Sequence, residues 1–149
     1  MSTALLRFIR DRAAASATEF AVIAPVLAMT ALGMIDGWSM ANTSLNMHAG
    51  IQSAAKFLIQ GGGTASTVQA IAMAAWKDKA NGSDVTVTKA CTCAGAAVDC
   101  ATVNSCPVTL VPPVTTYTIV GTTSWTAPFE TTFMPLSQSL TESQVVRVR

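Results

Sequence analysis

Arg7-Phe-Ile-Arg-Asp-Arg12 runs directly into Ala13-Ala-Ala-Ser-Ala-Thr-Glu19-Phe20, and from there into an uncharged apolar run that ends at Ile35. A basic collar, a row of small residues, one acid and an apolar segment in that order describe a chain end that is handled at a membrane, with the remainder carried as cargo. Sixteen uncharged residues separate Glu19 from Asp36, and as helix they extend roughly 24 Å, short of a ~30 Å hydrocarbon core. Gly37 to Ala55 is again free of Asp, Glu, Lys and Arg, so a tilted helix completes the crossing with Trp38 and Met40, Trp38 lying near an interface. Arg7, Arg10 and Arg12 precede the run and the next basic residue is Lys56. The bias of positive charge therefore places the amino terminus in the cytoplasm and the carboxy-terminal part outside.

Composition points the same way. The chain has 149 residues, 50% hydrophobic and only 11% charged, where a typical soluble domain carries roughly 25% charged residues. Its mean hydropathy is +0.44. Nine Lys and Arg stand against eight Asp and Glu, with no basic cluster beyond the collar, so a nucleic-acid partner is not expected.

Within the apolar run four positions carry distinct physics. A carboxylate at or inside a hydrocarbon boundary is costly unless it finds a partner or reaches the headgroups. Asp36 reads as the marker of the far end of the span. Pro25 removes a backbone hydrogen bond inside the helix, which neighbouring helices can tolerate. Gly33-Met-Ile-Asp-Gly37 has the G-x-x-x-G spacing that lets a partner helix approach closely.

The stretch Ala13-Ala-Ala-Ser-Ala-Thr-Glu-Phe-Ala-Val-Ile-Ala-Pro-Val-Leu resembles the amino-terminal signature of TadE-like proteins, minor pilins or pseudopilins of tight-adherence (Tad) pilus systems. The close match covers about Arg7 to Trp38, and the ending Gln144-Val-Val-Arg-Val-Arg149 is more distantly similar to the family's terminal strand. The resemblance implies that a prepilin peptidase removes the leader between Ala14 and Ala15, although Ala14 stands where the family usually has Gly. It also implies a register role for Glu19, within the Glu19-Phe20-Ala motif and ahead of Pro25. A freed amino group on Ala15 and the Glu19 carboxylate of an adjacent subunit are each costly alone in an apolar setting, and each neutralises the other. The alternative has Glu19 reaching the cytoplasmic headgroups.

Downstream, Trp38, Ala41, Leu45, His48, Ile51, Ala55 and Leu58 recur three or four apart, so the helix is expected to run to about Gln60 with that stripe packed against the head. Gly61-Gly-Gly63 stops it. His48, the only histidine, is expected to be packed and hydrogen-bonded rather than catalytic. Thr64 or Ser66 caps a second helix carrying Val68, Ile71, Met73, Ala75 and Trp76, with Lys77 and Lys79 at its dipole end. Asn81-Gly82 marks a turn. Beyond it the period changes to two: Val85 to Thr88, Thr115 to Trp125 and Gln144 to Val148 read as strands. Pro112-Pro113 and 127–139 read as loops, the second holding Phe129, Phe133 and Met134.

Cys91, Cys93, Cys100 and Cys106 fall within sixteen residues. In a head outside the cytoplasm an even, clustered count reads as two disulfides. Joining Cys91 to Cys93 is sterically poor, which leaves 91–100 with 93–106 or 91–106 with 93–100. A Cys-four zinc site fits this spacing badly, and C-x-x-C is absent, so no metal or cofactor is expected.

One His, no phosphate loop and only three carboxylates between Asp84 and Glu130 leave little from which to assemble acid–base or nucleophilic catalysis. The expected fold is α+β: a long amino-terminal transmembrane and stalk helix, a second short helix, and a small antiparallel sheet head with a disulfide-pinned loop. Its parts are a basic cytoplasmic leader over 1–14, the transmembrane and stalk helix over 15–60, and a periplasmic or extracellular head over 61–149. The expected function is that of a structural minor pilin or pseudopilin in a bacterial inner membrane, with other pilins and the prepilin peptidase as partners and no small-molecule substrate. The alternatives are a membrane-anchored binding domain unrelated to a filament, or a secreted one released after Ala31-Leu-Gly33.

Overall fold

The computed structural model describes residues 12–101, 106, 112–129 and 137–148, with side chains from Ser16 onward. The architecture is α+β, in the order α1 (Arg12–Ile59), α2 (Ala65–Ala75), β1 (Asp84–Cys93), β2 (Ala96–Val98), β3 (Val114–Thr126) and β4 (Ser137–Val148). Two compact units divide the chain, one of residues 1–39 and 127–136, of which 12–39 and 127–129 are described, and one of 40–126 and 137–149. The basic leader up to Asp11 and the residues Phe133, Met134 and Pro135 lie outside the described residues.

In the first unit α1 is rich in Ala and other good helix formers, and it continues without a break through Pro25. One helix, Ser16–Ile59, is long and apolar enough to cross a membrane. Over Phe20 to Trp38 its large apolar side chains stay exposed apart from the half-buried Leu32, Phe20 by 66% and Trp38 by 74%.

The second unit holds the core. Met47, Ile51, Ala54, Ala55 and Leu58 of α1 are buried with Val68, Ala72 and Trp76, and with Val85, Tyr117, Ile119 and Val146 of the sheet. The buried stripe of α1 is therefore turned from the expected one in its upper half, since Leu45 is 64% exposed. Two apolar faces compete there, Trp38, Ala41 and Leu45 against Met40 and Met47, so periodicity alone does not fix which face turns inward. Two glycines do fix it. A Cβ on Gly50 would lie 2.9 Å from both the Ala72 carbonyl oxygen and Trp76 Cβ, and one on Gly121 of β3 would lie 2.9 Å from Ile51 Cδ1.

The helix ends as expected, one residue early. Gly61 takes φ +87°, its N–H donates to the Leu58 carbonyl, and the Gly62 N–H donates to the Phe57 carbonyl at 3.0 Å. This is the paired-bond glycine cap that satisfies the last carbonyls of a helix. Thr64 caps α2 by accepting from the Thr67 N–H. Lys77 and Lys79 do not belong to α2, which stops at Ala75. Trp76 leaves the helix in extended backbone and is fully buried, so burial of the indole outweighs any favourable contact of the lysines with the helix dipole.

The four strands form one antiparallel sheet in the order β2-β1-β3-β4. β1 runs on to Cys93, beyond the expected Thr88, and turns through Ala94 and Gly95 into β2, a strand the sequence pattern does not announce. Both turn residues have positive φ, the requirement of a two-residue hairpin turn that matches the twist of its strands. β4 begins at Ser137, inside the stretch expected to be a loop, because β3 extends to Thr126 and pairs with it along its whole length. The disulfides are Cys91–Cys100 and Cys93–Cys106, with Cα separations of 5.3 and 5.5 Å. The hairpin register selects this pairing: Val98 lies opposite Cys91, which brings Cys100 back beside it.

Gly50→Ala tests the close approach of α1 and α2. In an exposed helix the change would gain roughly 1 kcal/mol, but overpacking against a backbone carbonyl costs about 1–3 kcal/mol. The expected outcome is a lowered melting temperature in detergent micelles for Gly50→Ala. Gly33→Ala, where a Cβ meets nothing within 4 Å, should leave it unchanged or raised. A raised melting temperature for Gly50→Ala would contradict the packing described.

Candidate functional site

The exposed apolar half of α1 is the candidate site. Glu19, Ile23, Val26, Thr30, Gly33 and Gly37 recur at spacings of four and three, so they share one face of the helix. Val26, Met29, Thr30 and Gly33 line a shallow apolar groove on that face. Its floor is low because Gly33 has no side chain and the Thr30 hydroxyl turns back to donate to the Leu27 carbonyl at 2.8 Å. A groove of small residues in an apolar helix admits a second helix at short range, where dispersion contacts, rather than the hydrophobic effect, drive association in lipid.

Glu19 stands exposed at the amino-terminal end of this face, without a hydrogen-bond or ion-pair partner among the described residues. Phe20 and Pro25 are exposed as well, but both lie off the line, to either side of it. Pro25 leaves the Ala21 carbonyl without its helical N–H partner. Ala14 and Ala15 are in the first turn of α1 by backbone, and their side chains lie outside the described residues. Thus Glu19, Gly33 and Gly37 share a face, whereas the four cysteines belong to the other unit and pin the β1–β2 hairpin.

Asp36 is not a bare end marker. It is 0% exposed, and its Oδ1 accepts a hydrogen bond from the Phe129 backbone N–H at 3.0 Å. An ionised acceptor strengthens such a bond, and burial makes either group expensive without the other. No local sequence signal joins positions 93 residues apart; only the placing of a carboxylate on an apolar helix hinted that something must cover it.

His48 is hydrogen-bonded as expected but not packed into the core, its side chain being 45% exposed. The Gln52 amide N–H donates to Nε2 at 2.8 Å. The ring proton then sits on Nδ1 and is donated to Glu142 Oε1 at 3.0 Å. This bridge ties α1 to β4 on the surface. Among the described residues no group of three His, Cys, Asp or Glu is placed to hold a metal ion. No protein-family model, curated protein or solved structure matches the chain.

Asp36→Ala removes the Oδ1 acceptor of the Phe129 N–H, a bond of the kind that contributes about 0.5–1.5 kcal/mol net. The expected outcome is faster amide hydrogen exchange at Phe129, with the exchange of Val85 and Ile119 unchanged. Asp36→Asn, which keeps an acceptor oxygen, should exchange more slowly than Asp36→Ala. Equal exchange at Phe129 in all three proteins would remove the role assigned to Asp36.

Proposed function

We propose that the chain is a structural subunit of a membrane-bound filament system, a TadE-like minor pilin or pseudopilin acting in the initiation or at the tip of a tight-adherence pilus. The observation that carries this reading is the exposed apolar face of α1, with an unpaired carboxylate at one end and a small-residue groove along it. A helix meant only to anchor needs apolar length. It does not need an acid inside its apolar half, where a charge costs ~2.5–3.5 kcal/mol at the bilayer centre and less toward the ends.

In this reading α1 crosses a bacterial inner membrane once, amino terminus in the cytoplasm and head in the periplasm, and the prepilin peptidase cuts between Ala14 and Ala15. Glu19 of one subunit receives the new amino group of the next, which sets the axial register, and the groove at Val26, Thr30 and Gly33 takes the neighbouring helix. The protein performs no chemistry on a substrate of its own. Its partners are other pilins, the peptidase and the membrane.

The mature amino terminus, determined by mass spectrometry of the protein from its native membrane, tests the reading. Ala15 is the expected result. A start near Met34 would mean secretion, and Met1 would leave an uncut anchor. Glu19→Ala should be processed normally yet fail to co-purify with the other pilin subunits of the same cells. Wild-type co-assembly of that variant would sink the register role.

A further inference from the structure

The depth of Asp36 in a bilayer fixes the depth of whatever covers it. A hydrocarbon core of ~30 Å takes about 20 helical residues, and counted from Phe20 these reach Ser39. Tilt only lengthens the count. Asp36 then lies at or just inside the far boundary, where a carboxylate facing lipid would be unfavourable. Yet Asp36 is fully buried, and it accepts from the backbone N–H of Phe129 in the same unit. The chain at Phe129 therefore shares that depth.

We propose that the turn Ala127-Pro128-Phe129 is a second membrane contact of this protein, seated in the interfacial layer of the bilayer beside α1 with the Phe129 ring toward lipid. The proposal rests on the reading of α1 as a membrane span. Three observations carry it beyond that reading. Residues 127–129 belong to the compact unit of the apolar helix, not to the unit of the sheet whose strands they connect. The Phe129 side chain is 42% exposed, and Trp38, two residues from Asp36, is exposed as well, so two aromatic rings stand near the level at which such rings gather in membranes. Toward the hydrocarbon edge of the interfacial layer, irregular backbone is favoured where protein satisfies its polar groups. Asp36 supplies that partner to the Phe129 N–H, and the turn in return removes the carboxylate from lipid.

The occupant is lipid because the surface is continuous with the span. Water or another protein chain are the outcomes that would overturn it. Phe129→Trp and, separately, Leu27→Trp are introduced into the full chain in bilayer nanodiscs containing phosphatidylcholine brominated either near the carbonyl or deep in the acyl chain. In Leu27→Trp the added emission should be lost to the deep bromines. In Phe129→Trp it should be lost to the shallow bromines and be little affected by aqueous iodide. Quenching of Phe129→Trp by iodide alone, or by neither agent, overturns the proposal while the span stands. Failure of Leu27→Trp to respond to brominated lipid overturns the span itself.

Discussion

A continuous helix has to satisfy two different surroundings along its length, and the rest of the structure follows from that. From Phe20 to Trp38 the large apolar side chains of α1, Leu32 apart, face outward, while from Met47 to Leu58 the buried ones face inward, toward α2 and the sheet. The first stretch requires an apolar solvent or apolar neighbours on all sides. The second requires one packed face only. Sequence meets both demands without breaking the helix, and in the second stretch Gly50 lets Ala72 and Trp76 come close, whereas a Cβ on Gly33 in the first stretch would meet open space.

Once Gly50 admits α2, the small head has what it needs. Trp76 can leave the helical path to fill the space beneath α1, and Gly121 lets Ile51 rest on the centre of β3. The start of β4 is built from Ser and Gln, and the apolar material at that end of the sheet is Trp125 of β3, opposite Gln138, with Leu140. At the opposite sheet edge the short β2 is held by covalent bonds. Both disulfides leave β1 from positions two residues apart, which share a face, so they reinforce the hairpin instead of the core.

The parts legible in the sequence were those with strong local chemistry. The apolar run, the triglycine stop after Ile59, the Thr64 cap and the Asn81-Gly82 turn each follow from neighbours a few residues apart. Where the chain offers competing apolar faces, as around Leu45, period alone cannot choose, and the choice was made by Gly50 meeting Ala72 and Trp76. Strand β2 was hidden because Ala94-Gly95 is a weak hairpin signal. The early start of β4 was hidden because Ser137-Gln-Ser lacks the β-branched residues that mark a strand; pairing with a long β3 overrides that composition. Gly121 carried a signal that the strand reading of Thr115 to Trp125 did not use: an isolated glycine within a Thr- and Val-rich strand marks a close approach.

Glu19 and Asp36 look like a symmetric pair of bookends in the sequence, and the structure separates them. Asp36 is buried and accepts from its own chain, so its contribution is to hold a turn in place. Glu19 is exposed, without a partner among the described residues, on the face that also carries the groove. Since a carboxylate within an apolar setting is stabilised most by a cation that is equally short of partners, the exposed Glu19 is the one of the two to which the proposed register pairing applies. The two acids thus differ along the apolar run: one holds the turn at Phe129 at the far end, and the other stands exposed at the near end.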